Sequence, residues 1–365
     1  MSQIYPVTIP KWGLSMKEGK VNRWLAKIGD SIQVGAEVVE VESDKIAGVI
    51  EATSAGVLRR QVAKENDVLP VGALLGLIAD SEVADSDIDA FVAEFQSRFV
   101  PGETEEAEST AGPETVTVQG RNISYLRRGD RGEVVFLIHG FVGDKNSWLF
   151  NHEALAATNT VYALDLPGHG YSDKVIDDPS LDGFAKVVFG FADALKIGQL
   201  HLVGHSLGGA VSLAAALQRR DRIKSVTVIS SAALGKEIDA QYVRGLARTN
   251  SRKELKALAG RIFANEGLVT RQLVEDLLRF KRLDGVQAAL ESILSAFLDG
   301  NQQRVVLREK IANLGKPIRV IWGEKDRIIP ASHAALAGAD VHILPNAGHM
   351  VQMEAANEVN KLLHF

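Results

Sequence analysis

Leu200-His201-Leu202-Val203-Gly204-His205-Ser206-Leu207-Gly208 decides the fold of the larger part of this chain. Leu200–Val203 is a short apolar run of the kind that forms a strand buried on both faces. Past the serine, Leu207, Ala210, Leu213, Ala214 and Leu217 recur at helical spacing. A serine therefore stands at a strand-to-helix junction between two glycines, in a turn too sharp for larger neighbours, with its hydroxyl lifted above the sheet. The same junction sets the Leu207 backbone N–H at a helix N-terminus, where it can stabilise an oxyanion. A serine hydroxyl is a weak nucleophile at neutral pH, so it needs a base and an acid that orients the base.

Further apolar runs lie at Glu133–Ile138, Thr160–Leu164, Val226–Ile229, Ile318–Trp322 and Val341–Leu344, with helix-like segments between them. That alternation predicts a doubly wound α/β architecture around parallel strands. Gly323-Glu324-Lys325-Asp326 follows one strand, and Asn346-Ala347-Gly348-His349 follows the next. From about Glu114 onward these motifs, with His139-Gly140-Phe141, resemble the α/β-hydrolase superfamily. The resemblance implies Ser206 as nucleophile, His349 as general base, Asp326 as the acid orienting His349, and the Phe141 and Leu207 N–H groups as an oxyanion hole. Asp165-Leu-Pro-Gly-His169-Gly-Tyr-Ser-Asp173 matches a structural loop of that superfamily, so Asp165 and His169 read as braces. His205 adjoins the nucleophile, but nothing assigns it proton transfer. His152, His201, His333 and His342 show no partnering pattern.

Between Gly235 and Gly315 the sequence is helix-rich and lacks strand signals, as expected of a lid inserted over a pocket. Arg244, Arg248, Arg252 and Lys256 recur every four residues, a spacing that could hold phosphates. Ser251 and Glu254 read as a capping box that starts a new helix and breaks the stripe, which favours a solvated face.

The first eighty residues are different. Short apolar runs punctuated by Gly and Asp predict an all-β domain. Asp30-Ser31-Ile32-Gln33-Val34-Gly35-Ala36 recurs, 37 residues on, as Asp67-Val68-Leu69-Pro70-Val71-Gly72-Ala73. Two copies of one turn-and-strand unit imply two similar sheets facing each other across a shared core. Ser43-Asp44-Lys45 falls between strand-like runs at Glu37–Glu42 and Ile46–Glu51 and reads as a hairpin turn. Residues 1–80 resemble a lipoyl domain through Met16, Glu18, Gly19, Trp24, Gly29, Asp30 and Glu42-Ser43-Asp44-Lys45. The resemblance implies lipoate attached covalently to Lys45. A biotin carrier would usually flank that lysine with methionines, and here its neighbours are Asp44 and Ile46.

Residues 81–114 join the two parts. Ile88, Phe91, Val92, Phe95 and Phe99 lie at helical spacing, so Asp85–Phe99 reads as an amphipathic helix whose apolar face docks on one of the two domains. A partner-docking helix is the sharper alternative. Pro101-Gly102 stops the helix, and Glu103–Pro113 has the acidic, weakly hydrophobic composition of a flexible linker. Such a stretch spans roughly 20 Å on average and about 40 Å when taut.

Composition bounds the remainder. A chain of 365 residues with 46% hydrophobic and 24% charged residues is a soluble protein of more than one domain. A net charge of −5 without a long basic run argues against nucleic acid as partner. No apolar stretch approaches the ~18–20 residues of a membrane span, and Met1–Pro10 shows no signal-peptide pattern. The chain contains no cysteine, which excludes disulfides, thiolate metal sites and a cysteine nucleophile; a cytoplasmic location is expected.

As a whole, the chain resembles the dihydrolipoamide acetyltransferase components of acetoin dehydrogenase complexes. The HxxxDG motif of the commoner 2-oxo acid dehydrogenase acyltransferases is absent, so their mechanism does not transfer. The resemblance implies an acetyl group moving from the lipoyl arm to coenzyme A. It also implies a thiamine-diphosphate-dependent dehydrogenase component, dihydrolipoamide dehydrogenase and a lipoate-attaching enzyme as partners, and a homo-oligomer. Two rivals stay open at this level: a thioesterase or esterase with a fused lipoyl domain, and a non-catalytic carrier.

Overall fold

The computed structural model describes residues 4–10, 16, 18–42, 47–52, 54–99, 114–269 and 271–365. The chain divides into two compact units, Met1–Gly112 and Pro113–Phe365. The first contains strands β1 (Ile4–Thr8), β2 (Glu18–Trp24), β3 (Ser31–Ile32), β4 (Glu37–Glu42), β5 (Ala47–Glu51), β6 (Gly56–Gln61), β7 (Val68–Pro70) and β8 (Leu74–Ala79). They form two four-stranded sheets ordered β1-β8-β6-β3 and β5-β4-β2-β7. The sequence repeat is a repeat in space, because β3 and β7 take the same terminal place in their two sheets. The Lys27 N–H donates to the Asp30 carboxylate at 2.7 Å, and the Lys64 N–H donates to Asp67 at 2.8 Å. Gly35 and Gly72 both adopt φ 82°, a left-handed conformation that glycine takes without strain. Val21, Val38, Val39, Val41, Leu58 and Leu75 fill the shared core. β4 and β5 pair antiparallel with Glu42 opposite Ala47. Lys45 and the turn expected around it lie outside the described residues.

Helix α1 (Asp85–Arg98) belongs to this first unit. Its Ile88 is fully buried with Leu74, Leu77, Ala79 and Val83, and Phe91, Val92 and Phe95 pack against that cluster. Burying one such side chain stabilises by about 1.5–3 kcal/mol. Arg59 pairs with Asp85 at 2.8 Å, and Arg60 pairs with Asp89. The apolar stripe is thus taken up by the sheet beside it. The linker expected at Glu103–Pro113 lies outside the described residues.

The second unit is built on one eight-stranded sheet. Its strands are β9 (Glu114–Val118), β10 (Arg121–Arg128), β11 (Val134–Ile138), β12 (Thr160–Leu164), β13 (Leu200–His205), β14 (Ile223–Ile229), β17 (Ile318–Gly323) and β18 (Asp340–Leu344). Their order is β18-β17-β14-β13-β11-β12-β10-β9. The strands from β18 to β12 are parallel, whereas β10 pairs antiparallel with both β12 and β9. The six parallel strands are those that the apolar runs predict, and the β9–β10 hairpin is an addition to them. β9 and β10 carry Thr, Arg and Asn, as an edge with one wet face can, so they never form an all-apolar run.

Helices α2 (Leu181–Ala194) and α3 (Leu207–Gln218) pack on the sheet. Between β14 and β17 lie α4 (Ala240–Arg248), α5 (Arg252–Ile262), α6 (Arg271–Lys281) and α7 (Val286–Phe297). The Glu254 N–H donates to Ser251 Oγ at 3.4 Å, so α5 starts where the capping residues place it. A two-stranded ribbon, β15 (Leu298–Asp299) with β16 (Gln302–Gln303), corrects the strand-free reading of this region. Strands of two residues are too short to leave an alternation signal. Among the described residues, no helix is long and apolar enough to cross a membrane.

Candidate active site

Four loops meet at the C-terminal ends of β11, β13, β17 and β18, where open parallel sheets place their sites. Ser206 links β13 to α3 at φ 51° and ψ −113°, a strained conformation that persists when its surroundings over-determine it. Its N–H donates to the Ile229 carbonyl at 2.9 Å, and its own carbonyl accepts the Ala232 N–H at 3.0 Å. Both peptide groups of the serine are therefore fixed to the segment at the end of β14. A Cβ on Gly204 would overlap the Gly208 carbonyl, and one on Gly208 would overlap the Ile138 carbonyl. These two contacts are why the turn requires glycine on both sides. Ser206 is half-buried among fully buried neighbours.

His349 follows β18 and Asp326 follows β17. His349 Nδ1 lies 2.8 Å from Asp326 Oδ2, with both side chains almost wholly buried. Asp326 Oδ1 accepts the backbone N–H groups of Ile328 and Ile329 at 2.8 and 3.0 Å, which fixes the carboxylate plane. Burial alone would raise this carboxyl, but the His349 ring, its hydrogen bond and the two N–H groups hold it below its ordinary value.

His205 sits against the base. Its Nε2 donates to the His349 carbonyl at 3.0 Å, and the two rings are 4.9 Å apart. A Cβ on Gly140 would come within 2.8 Å of His205 Nδ1 and 3.2 Å of Ser206 Cβ, so the β11 loop touches the same spot. Burial pushes His205 down to about 3, which keeps it neutral. Its observed part is to brace the backbone of His349, a contact across 144 residues that no local pattern could reveal. Among the described residues, neither the Phe141 nor the Leu207 backbone N–H has a protein acceptor.

The loop at the end of β12 supports this arrangement. His139 Nδ1–H donates to the Gly140 carbonyl at 2.7 Å, and its Nε2 accepts the Leu166 N–H at 2.9 Å. Asp165 is a buried brace, as its place in that loop motif predicts. Its carboxylate takes Lys145 Nζ at 2.6 Å, the Lys145 N–H at 2.7 Å and the Tyr171 N–H at 2.9 Å. Lys145 carried no sequence signal. His169 is buried with Nδ1 at 3.1 Å from the Pro167 carbonyl. Elsewhere His333 pairs with Glu237, His342 with Asp340, and His201 with the Ser225 hydroxyl. The three arginines of the basic stripe are engaged within the lid: Arg248 is bidentate to Glu291, Arg252 pairs with Glu275, and Arg244 binds Asn301.

A two-sheet carrier unit and an α/β sheet bearing a serine elbow define a lipoyl-type domain joined to an α/β-hydrolase domain. The model of the alpha/beta hydrolase fold matches residues 133–356, and that of the biotin-requiring enzymes matches residues 5–78. A meta-cleavage product hydrolase from Pseudomonas fluorescens IP01 shares the fold of the larger unit, with a TM-score of 0.62 and 24% identity over 68% of this chain and 95% of its own. The dihydrolipoyllysine-residue acetyltransferase component of the acetoin cleaving system of Pseudomonas putida is 49% identical over 364 residues, covering 99% of this chain and 98% of its own. Its counterpart from Cupriavidus necator is 45% identical over 362 residues, covering 99% and 96%. The chain belongs to this family of acetyltransferase components.

Proposed function

We propose that Ser206, His349 and Asp326, with the Phe141 and Leu207 N–H groups, move an acetyl group from a lipoyl arm on Lys45 to coenzyme A. Family membership makes the chain a dihydrolipoyllysine-residue acetyltransferase, an acyltransferase component acting in acetoin catabolism. The biotin-type family model leaves the attached group open between biotin and lipoate, and the relatives' dihydrolipoyllysine favours lipoate. Lipoate, once attached to Lys45, would supply a dithiol able to present an acetyl group to Ser206. The observation that carries the proposal is the 2.8 Å contact of His349 with a buried Asp326 beside the serine elbow.

Ser206 Oγ attacks the thioester carbonyl while His349 Nε2 takes its proton, and Asp326 stabilises the imidazolium through Nδ1–H. The Phe141 and Leu207 N–H groups hold the oxyanion; losing one such donor typically costs ~10²–10³ in rate. His349 returns the proton to the departing thiol, leaving acetyl-Ser206. The coenzyme A thiol then gives its proton to His349 and attacks the acetyl carbon. Collapse restores the Ser206 hydroxyl with that proton. Transfer rather than hydrolysis requires that the thiol be positioned and water excluded. The partners of this reading are a thiamine-diphosphate-dependent dehydrogenase component, dihydrolipoamide dehydrogenase and a lipoate-attaching enzyme, with a homo-oligomeric, cytoplasmic chain. Acetylated lipoyl protein incubated with coenzyme A should yield acetyl-CoA. Free acetate alone would make the site a hydrolase, and no product would make the domain idle.

A further inference from the structure

The C-terminal end of lid helix α5 is held by the loops that carry the base and the acid. The Ile262 carbonyl accepts the backbone N–H groups of both His349, at 2.8 Å, and Met350, at 3.1 Å. Glu354 ends the short helix α8 (Val351–Glu354) just beyond. One of its oxygens accepts the Gly348 N–H at 2.6 Å; the other accepts those of Ala264 and Asn265 at 2.7 and 3.1 Å. Arg327, the residue after Asp326, donates to the Gly260 and Phe263 carbonyls at 2.9 and 2.7 Å. The Lys325 N–H bonds the Ala347 carbonyl at 2.9 Å, tying the acid loop to the base loop.

The last carbonyls of a helix have no partner within it. At the end of α5 the Gly260 and Ile262 carbonyls are satisfied by the two catalytic loops, some 65–90 residues later in sequence. Hydrogen bonds to a carboxylate are roughly twice as strong as neutral ones. Glu354 makes three of them, to N–H groups on both sides of the junction. Only a carboxylate presents an acceptor to each side: an amide there must point its NH₂ at Gly348 or at Ala264 and Asn265, donor against donor.

Building on the assignment of His349 and Asp326 made above, we propose that Glu354 and Arg327 are positioning residues that lock the base and acid loops to one lid segment, Gly260–Asn265. The His349 ring then meets Ser206 in register only while that segment is docked, so the lid governs the chemistry as well as access to it.

The test uses the full chain and acylation by p-nitrophenyl acetate, which is small enough to need little from the lid. Glu354→Gln and Arg327→Gln should each lower kcat roughly 10- to 100-fold, as a misplaced base does. KM should be unchanged and the folded state retained in a thermal melt. A folded variant at the parental kcat, or one whose loss falls wholly on KM, would overturn the coupling. Ser206→Ala separates this inference from its premise: if the parent's acylation survives in that variant, the catalytic assignment fails whatever the lid does. Should neither Gln variant fold, hydrogen exchange on the parent decides. The amides of Gly348, His349, Ala264 and Asn265 must open as one unit, and independent opening overturns the proposal.

Discussion

Replacing Asp326 by Asn probes the site without changing its shape. In the parent, the Ile328 and Ile329 N–H groups point at Oδ1, and His349 Nδ1 meets Oδ2 at 2.8 Å. In Asp326→Asn the amide oxygen must stay on the two backbone donors. Turning it over would leave those buried N–H groups facing an NH₂, at about 1–3 kcal/mol each. The NH₂ group therefore faces His349 Nδ1, which must now accept. The ring proton moves to Nε2, and His349 can no longer take the proton of Ser206. A wrong tautomer in a site of this kind costs on the order of 10⁴-fold. At about 1.36 kcal/mol per tenfold, that is about 5.4 kcal/mol of transition-state stabilisation. Every hydrogen bond to Asp326 has a counterpart in the variant, so the melting temperature should stay close to the parent's. The assay is the acylation burst with p-nitrophenyl acetate. A folded Asp326→Asn chain acylating within tenfold of the parent would refute the tautomer argument.

Lys45→Arg should leave small-ester acylation intact and stop acetyl transfer in the complex; continued turnover would disprove the arm assignment. Lys145→Met leaves the Asp165 carboxylate buried with two backbone donors but no cation. Breaking such a pair costs roughly 3–5 kcal/mol, and at about 2–4 °C per kcal/mol the melting temperature should fall by roughly 6–20 °C. A shift under about 3 °C would show that the pair contributes little. Burial pushes His152, His169 and His205 down to about 3 and lowers His139 as well. The folded chain thus binds fewer protons than the unfolded one, so stability should fall as the pH drops below about 6.5 and keep falling toward 3. Each ring adds up to about 1.4 kcal/mol per pH unit, and a melting temperature flat between pH 7 and 5 would contradict that burial.

The parts of the site legible in sequence are those written locally. A serine between glycines at a strand-to-helix junction, an aspartate one turn past a strand and a histidine past the next all announce themselves by position. The carrier unit was legible for another reason: a pseudo-symmetric fold repeats its turn chemistry, so Asp30 and Asp67 use the same bond to the same kind of donor. What could not be read is written across the chain. His205 bonds His349 over 144 residues, and Glu354 joins N–H groups some 90 residues away, leaving no periodicity behind. The β9–β10 hairpin escaped because its residues obey the looser pattern of an edge. The basic stripe was legible only in part: its spacing and the Ser251 cap favour a solvated face, and Arg248 and Arg252 are indeed exposed, but the acids that engage these two lie on α7 and α6, where no local pattern announces them.

The most direct measurement is a rapid quench of the lipoylated chain, charged with acetyl on its dithiol and mixed with coenzyme A, followed by peptide mass analysis. The account predicts acetyl on the Ser206 peptide, appearing before acetyl-CoA and decaying as it forms. Acetyl-CoA produced at the parental rate by Ser206→Ala, with no acetylated serine trapped in the parent, would contradict it.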